Sequence, residues 1–205
     1  MSENSDGSNK VIGITEIKEM IENCQFDEFK DAIQAGAINV NQKWQSYHGM
    51  PNAAFTFAYL NSLDLENKIK WIKLFASFGA DVNNELWSLI RHQGEAVLIK
   101  TFVELGADIH KRNEHGRTLM FEAVWGDRVE HIKCLAELGA DVNARDNDGR
   151  TPIFYTIERQ DIDTMQCLAE LGADLNAIAN DESMPLSHAK GYTKAVKWLK
   201  ANGAK

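Results

Sequence analysis

The same eight residues, CLAELGAD, occur twice in this chain, at 134–141 and again 33 residues later at 167–174. Two further glycines, Gly116 and Gly149, are separated by the same 33 residues. A fixed period of this length is typical of stacked copies of one supersecondary unit. It also favours a binding surface over an active site, because proteins built from such stacked units mainly present extended surfaces to other molecules.

Each copy of the period predicts a tight turn followed by a first helix. Gly116 closes such a turn, and Thr118 has the side-chain oxygen that can cap the helix after it. One period later, Thr151 stands before Pro152. Proline is well tolerated at the first helical position, because the N–H that it lacks would be unpaired there anyway. We therefore expect the first helix to begin directly after each threonine.

The second helix of each unit carries an apolar stripe that recurs one period later. Asp127 with Glu130 is predicted to cap its start. Gly139 and Gly172 are predicted to end it in the left-handed conformation that glycine adopts without steric cost. The stripe consists of Val129, Ile132, Leu135 and Ala136, and then of Ile162, Met165, Leu168 and Ala169.

The segments GRTLMF at 116–121 and GRTPIF at 149–154, with GADVNA or GADLNA after each second helix, resemble ankyrin repeats. That family's unit is a β-turn finger followed by two antiparallel helices, with the signature TPLHxA. Here Phe121 and Phe154 replace the histidine of the signature, and Leu119 replaces one proline. The resemblance implies an all-α ankyrin-repeat solenoid of helix-turn-helix units, with short β-turn fingers and capping terminal repeats.

Loops of the Gly-Ala type extend the array in both directions and predict six units. Two intervals depart from the period, since 43 residues separate Gly36 from Gly79 and 27 separate Gly79 from Gly106. The first predicts an insertion or a longer first helix in the second unit, and the second predicts a third unit with almost no finger. The predicted domain spans 11–205 after a disordered tail at 1–10, with units at about 11–41, 42–83, 84–112, 113–145, 146–178 and 179–205.

Composition and charge argue against several classes of function. The net charge of −8 argues against a nucleic-acid partner, because phosphate binding needs a basic surface. No run approaches the roughly 20 apolar residues of a membrane span, and the polar N-terminal segment lacks the apolar centre of a secretory signal. We therefore expect a cytoplasmic protein that is monomeric when free and has no membrane partner. Delivery into another cell stays open.

Catalytic and metal-binding motifs are not recognisable in the sequence. It has no Gly-rich phosphate loop and no HExxH, CxxC or GxSxG pattern, so we expect neither an enzyme nor a cofactor or metal site. Cys134 and Cys167 occupy equivalent places in adjacent units, which favours small buried packing residues over a redox or metal role. The alternative is an enzyme with a site in the enlarged second unit, around 44–64.

The resemblance to ankyrin repeats implies that the partner-binding face is a concave groove, lined by the fingers and the first helices. The variable contact positions of that family lie in the finger and at the C-terminal end of the first helix. Carried onto this sequence, the candidate partner-binding residues are Trp44, Tyr47, His48, His92, Arg112, Glu114, His115, Arg117, Trp125, Arg145, Asp148, Arg150, Glu158 and Arg159.

Trp125 is the candidate anchor, because it lies off the apolar stripe and because Trp, Tyr and Arg supply about 2 kcal/mol or more each when buried at interfaces. Arg117 and Arg150, one period apart, favour a partner with an acidic or mixed-charge patch. Alternatively, these arginines form surface ion pairs with Asp146 and Asp148. The tryptophans predicted to belong to the core are Trp71, Trp87 and Trp198.

These patterns predict a protein–protein interaction module that binds a partner protein in its groove. A narrower hypothesis is a dedicated inhibitor or immunity protein, because irregular second and third units suit a surface shaped to one target. The alternatives are a secreted effector or a passive scaffold that acts on a host protein.

Overall fold

The computed structural model describes residues 12, 14–38, 63–92 and 94–205, and the chain divides into two compact units, Met1–Glu85 and Leu86–Lys205. Several predictions lie outside the described residues. They are the disordered tail at 1–10, the partner contacts at Trp44, Tyr47 and His48, and most of the alternative enzyme site around 44–64.

Helices form all the regular secondary structure within these ranges, so the predicted all-α fold class is confirmed. In chain order the helices are α1 (Ile14–Glu22), α2 (Phe26–Gln34), α3 (Leu65–Ser77), α4 (Val82–Arg91), α5 (Val97–Glu104), α6 (Leu119–Trp125), α7 (Val129–Glu137), α8 (Phe154–Ile157), α9 (Ile162–Glu170), α10 (Pro185–His188) and α11 (Thr193–Ala201).

In the unit Leu86–Lys205 the helices form two stacked layers. The first helices α6, α8 and α10 pack on one another in that order, and the second helices α5, α7, α9 and α11 pack in a parallel succession. The predicted apolar stripe lies between the layers. Ile132 and Leu135 are fully buried, and Met165 and Leu168 repeat this burial one period later. The 33-residue period thus places equivalent side chains in neighbouring layers.

The turn and loop glycines adopt the conformations that the sequence predicts. Gly139 and Gly172 have φ of 90° and 91°, and Gly116 and Gly149 both have φ of 74°. Gly116 is also needed for space, because a Cβ atom there would lie 2.3 Å from Oδ1 of Asn147. No other residue type meets both requirements at this position.

Asparagine side chains and backbone groups hold successive units in register. The backbone N–H of Asn147 donates to the carbonyl of His115 in the preceding finger, at 3.0 Å. In the loops, the side chain of Asn143 donates to the carbonyl of Gly172 at 3.0 Å and accepts from the N–H of Asp174 at 2.7 Å. The repeated finger and loop residues therefore have a structural function.

The predicted threonine caps of the first helices are wrong. Thr118 precedes α6, but its hydroxyl makes no capping hydrogen bond, and α8 begins at Phe154 instead of at Pro152. The N–H of Phe121 bonds to the backbone carbonyl of Thr118 at 3.1 Å, and Phe154 bonds in the same way to Thr151. Because the carbonyls take these N–H groups, the hydroxyls turn inward. Both threonines are buried, and neither hydroxyl has a hydrogen-bond partner among the described residues.

The predicted capping pair of Asp127 with Glu130 is also wrong. Asp127 lies before the helix in the left-handed region, with φ of 53°, and α7 has no side-chain cap. In the next unit, Gln160 takes the equivalent left-handed position, with φ of 52°. The cap there is Asp161, one residue later, which accepts the N–H of Thr164 at 3.1 Å. A turn residue therefore precedes the capping position in both units.

In the third predicted unit, the helix begins within the Gly-Ala-Asp segment, which forms a loop in the other units. Helix α4 starts at Val82, and the carboxylate of Asp81 accepts the N–H groups of Asn83 and Asn84 at 3.0 and 3.1 Å. The equivalent aspartates of the other units lie in loops, whereas Asp81 caps a helix. This agrees with the expectation from the short 27-residue interval that the unit has almost no finger.

The buried aromatic and sulfur side chains follow the predictions in part. Trp71 is fully buried and stacks on Phe26 with ring centroids 4.4 Å apart, whereas Trp87 and Trp198 are half-buried. Cys134 and Cys167 are buried, as expected for packing residues. Burial raises the pKa of both thiols, so they stay protonated at neutral pH.

His131 should make the stability of the protein depend on pH. It is buried, its Nε2–H donates to the carbonyl of Gly94 at 2.7 Å, and burial lowers its pKa from 6.5. A lowered folded-state pKa gives stability that is present above about pH 6.5 and is lost as the pH falls towards the folded-state value. Urea unfolding should show less stability at pH 5 than at pH 7.5. His131→Gln should reduce this difference and the exposed control His110→Gln should not; an equal pH dependence in all three proteins would contradict the assignment.

Replacing Thr151 by valine should not destabilise the protein. The substitution removes a buried hydroxyl without a partner and keeps the shape, so the free energy of unfolding should stay constant or rise by up to about 1 kcal/mol. The matched control is Thr156→Val, because the hydroxyl of Thr156 donates to the carbonyl of Ile153 at 2.7 Å. This control should lose about 1 kcal/mol in the same urea titration. A loss of equal size at position 151 would mean that its hydroxyl is hydrogen-bonded.

Candidate functional site

A groove of about 530 Å³ crosses the fingers and first helices of the unit Leu86–Lys205. Six of its lining residues are among the predicted partner-binding positions, namely Arg117, Trp125, Asp148, Arg150, Glu158 and Arg159. Three others were not predicted, namely Phe154, Tyr155 and His188. The structure thus brings the candidates of two adjacent repeats together.

The period explains how these residues meet. Trp125 and Glu158 are equivalent positions one period apart, and so are Arg117 and Arg150. Because α6 packs on α8, equivalent residues of the two repeats become neighbours along the groove. The repeating backbone therefore aligns an identical pair, Arg117 and Arg150, and a pair that differs, Trp125 and Glu158.

Trp125 is the most exposed large apolar side chain in the groove, with 60% of its surface accessible. It ends α6, in which the preceding residues Ala123 and Val124 are buried. Its ring centroid lies 6.0 Å from that of Tyr155, and the guanidinium carbon of Arg117 lies 5.8 Å from the tryptophan ring. The expectation that Trp125 lies off the core-facing stripe is confirmed.

Arg117, Tyr155 and Asp146 form a hydrogen-bonded network beneath Trp125. The hydroxyl of Tyr155 donates to the Asp146 carboxylate at 2.5 Å and accepts from Nη2 of Arg117 at 2.8 Å. The guanidinium of Arg117 also lies 4.7 Å from the centroid of the Tyr155 ring. The other oxygen of Asp146 accepts the backbone N–H groups of Asp148 and Arg150 at 3.0 and 2.9 Å. This one carboxylate therefore connects a finger, a first helix and the preceding finger.

The environment of Tyr155 keeps its hydroxyl protonated. Burial, followed by the adjacent carboxylate of Asp146, raises its pKa to about 12. The side chain of Asp146 is only 1% exposed, and Nε of Arg117 lies 3.7 Å from its carboxylate. Arg117 therefore does not form the exposed ion pair that was its alternative interpretation; its acidic partner is buried.

The other two groove arginines also have acidic partners, each in a neighbouring repeat. Arg150 lies 3.3 Å from the carboxylate of Asp181, whose pKa is lowered to about 2, mainly by hydrogen bonds from Ser183 and further by Arg150. Arg159 donates to the carboxylate of Asp127 and to the backbone carbonyl of Trp125. All three arginines are thus oriented by contacts inside the protein.

The remaining described candidates do not line the groove. Arg112 donates to the carbonyls of Gly116, at 2.7 Å, and of Arg145, so it ties one finger to the next. Arg145 donates to the carbonyl of Ile178 in the same way. The other described candidates outside the groove are Glu114, His115 and His92, all of which are exposed.

The sequence prediction of the groove did not include Tyr155 and His188. Tyr155 lies three residues before the predicted position Glu158, and His188 ends α10, in a repeat to which no candidate residues were assigned. Glu122, Tyr155 and His188 recur at intervals of 33 residues, which was the available signal. Within the groove, Nε2 of His188 lies 3.5 Å from the carboxylate of Glu158.

In the described parts of the chain, no group of three or more His, Cys, Asp or Glu side chains could hold a metal ion. None of the helices in the same ranges is long and apolar enough to cross a membrane. The groove itself is lined by aromatic rings and by charges of both signs. Its chemistry is therefore that of a recognition surface for aromatic, apolar and charged groups.

Comparisons with known proteins agree with this architecture. The family model named "Ankyrin repeat" matches residues 115–147, which include one finger and both helices of the best-formed unit. Residues 115–147 are thus similar to an ankyrin repeat. The solved ankyrin repeat domain of Bcl-3, described as a unique member of the IkappaB protein family, is similar in fold. Its TM-score is 0.72 at 21% identity, over 94% of this chain and 88% of that one. Among curated proteins, no sequence matches this chain.

The Tyr155 hydroxyl should contribute measurably to the stability of the repeat array. Tyr155→Phe removes the O–H donor to a buried carboxylate, so the free energy of unfolding should fall by about 2 kcal/mol. Tyr192→Phe is the matched control, since its hydroxyl has no hydrogen-bond partner among the described residues. Equal losses in the two variants, measured by urea unfolding, would show that the network does not stabilise the fold.

Proposed function

We propose that this protein binds a segment of a partner protein in the groove around Trp125. Ankyrin repeats are protein–protein interaction modules. The observation that supports this particular surface is a tryptophan with 60% of its area exposed inside a groove of about 530 Å³. Tryptophan is strongly enriched among the residues that dominate binding energy at interfaces.

The contacts around Trp125 support a surface that is formed before the partner arrives. The indole lies against Arg117 and Tyr155, and its backbone carbonyl accepts from Arg159. Side chains held in this way lose less conformational freedom on binding, which favours affinity. The groove volume also falls within the usual range of binding pockets, about 300 to 1,000 Å³. It can enclose a few side chains of an extended segment.

The charges of the groove favour a partner of mixed charge. Arg117, Arg150 and Arg159 are each paired with an acid of a neighbouring repeat, whereas Asp148 and Glu158 present carboxylates at the surface. A purely acidic partner would compete with the internal acids for these arginines. Charge complementarity across an interface sets its specificity and the rate of encounter.

The narrower proposal is that the protein acts as a dedicated inhibitor or immunity protein. Its support is that several groove positions vary from one repeat to the next, as Trp125 and Glu158 do, while the structural residues recur, as expected for a surface adapted to one target. The alternatives to an inhibitor are a secreted effector and a passive scaffold, either of which would act on a host protein. If it is an inhibitor, adding it to a co-purifying enzyme should lower that enzyme's activity. No observation favours an enzymatic site in the described residues.

Trp125→Ala should weaken binding of the partner at least about tenfold, because it removes the exposed anchor. The partner is first captured from an extract of the source organism, and its dissociation constant is then measured by calorimetry with the purified protein. Circular dichroism should show unchanged helicity, since the side chain lies outside the core. Arg117→Ala should weaken binding too. Its melting temperature must also be measured, because Arg117 contacts the buried Asp146 and its loss can destabilise the fold.

Val97→Ala is the matched control for Trp125→Ala. Val97 is an exposed apolar side chain, 47% accessible, that does not line the groove. This variant should bind the partner with unchanged affinity. If Trp125→Ala binds as tightly as the wild type, the groove is not the binding surface, and the proposal is wrong.

A further inference from the structure

We infer that the groove recognises a basic side chain, a lysine or an arginine, presented by the partner segment against Trp125 and Glu158. This inference rests on the proposed function, because it specifies what the same groove accepts. The sequence predicted a partner with an acidic or mixed-charge patch, and the inference argues against the acidic patch. Several charges of the groove already have partners, and these pairings decide which charge a ligand must carry.

The positive charges of the groove are already compensated. Arg117 lies beside the buried carboxylate of Asp146, and Arg150 lies beside Asp181. Arg159 pairs with Asp127, which lies in the turn before α7. An incoming carboxylate would have to share these guanidinium groups with acids that the fold holds next to them. A ligand carboxylate that bound Arg117 would weaken the contact of Arg117 with Asp146, whose carboxylate is buried and cannot be solvated instead.

Two carboxylates in the groove are not compensated in this way. Within the described residues, no Lys, Arg or His lies within ion-pair distance of the exposed Asp148. Glu158 is also exposed, and its neighbour His188, at 3.5 Å, carries a charge only when it is protonated. The groove therefore offers negative charge to a ligand more readily than positive charge.

Hydrogen bonds hold the backbone of Asp148 in place. Its N–H donates to Asp146 at 3.0 Å, and its carbonyl accepts the N–H of Asn180 at 2.9 Å. Glu158 follows the last turn of α8, at the position equivalent to Trp125 in the neighbouring layer. The two acids are thus presented by ordered elements rather than by a long free loop.

The exposed indole completes a site for a cation. An aromatic face attracts ammonium and guanidinium groups, and the attraction is strongest for tryptophan. Arg117 already lies near this ring, at 5.8 Å from its centroid, yet 60% of Trp125 stays accessible. Glu158 lines the same groove at the equivalent position of the next repeat, so its carboxylate is the acidic partner for a lysine or arginine stacked on the free part of the ring. Its aliphatic stem would meanwhile cover apolar surface.

The charge of the whole chain acts in the same direction. With a net charge of −8, the protein attracts basic partners and repels acidic ones over distances beyond direct contact. This long-range term adds to the local complementarity of the groove. A basic segment is therefore favoured both during the encounter and in the bound state.

A selection from a library of short random peptides tests the inference before the natural partner is identified. The full chain is immobilised, and peptides that also bind the Trp125→Ala variant are removed. We expect the recovered peptides to share a lysine or arginine next to an apolar residue. Replacing that basic residue by norleucine in a synthetic peptide should weaken binding about tenfold, as measured by calorimetry.

Glu158→Gln should weaken binding of the same peptide by a similar factor, because the substitution removes the charge and keeps the shape. When Glu158→Gln is tested with the norleucine peptide, the affinity should fall little further, since both changes remove the same interaction. Glu137→Gln is the control, because this exposed acid lies on α7 and does not line the groove. Its affinity for the peptide should equal that of the wild type.

Two kinds of result overturn the inference, and they can be told apart. Recovered peptides that are acidic or show no bias towards basic residues, or a Glu158→Gln variant that binds normally, would overturn the cation site and leave the proposed function standing. If no peptide depends on Trp125, the groove does not bind extended segments. The proposed function in this groove would then be wrong together with the inference.

Discussion

One buried carboxylate, that of Asp146, connects the elements that form the groove. It accepts two N–H groups of its own finger and the hydroxyl of Tyr155 on the next helix, and it lies beside Arg117 of the preceding finger. A carboxylate that is 1% exposed is stable only if it is paired and hydrogen-bonded in this way. The requirement to compensate this charge fixes Arg117 and Tyr155, and both of them support Trp125. Folding and recognition therefore share one set of contacts here.

The period of the sequence was sufficient to predict the helices, the left-handed glycines and the burial of Ile132 and Leu135. These features depend on local conformational preference and on apolar spacing, which the sequence states directly. The caps were harder to predict, because a backbone carbonyl and a threonine hydroxyl compete for the same N–H. At Thr118 the carbonyl forms the bond. Propensity describes only the residue, whereas this outcome depends on the exact path of the chain.

The candidate site was predictable in position but not in its electrostatics. Equivalent positions in a repeat must become neighbours, so Trp125 and Glu158 could be assigned to one groove from the period together with the resemblance to ankyrin repeats. The pairing of Arg159 with Asp127 could not be predicted. It depends on a non-glycine residue at φ of 53° that directs a carboxylate towards the next layer. Tyr155 was missed because it lies outside the predicted contact positions, and its hydrogen bond to a carboxylate of another element cannot be read from the period. Sequence periodicity thus shows which side chains meet, whereas structure shows which charges remain for a partner.

The exposure of Trp125 gives the protein an optical reporter of its own surface. Among the described tryptophans, Trp71 is fully buried and Trp87 and Trp198 are half-buried, so Trp125 is the indole that water and soluble quenchers reach most easily. Its emission should respond to whatever enters the groove, with little change from the rest of the fold. The side chain that presents the largest apolar area to a ligand is therefore also the one whose fluorescence can show when that ligand has arrived.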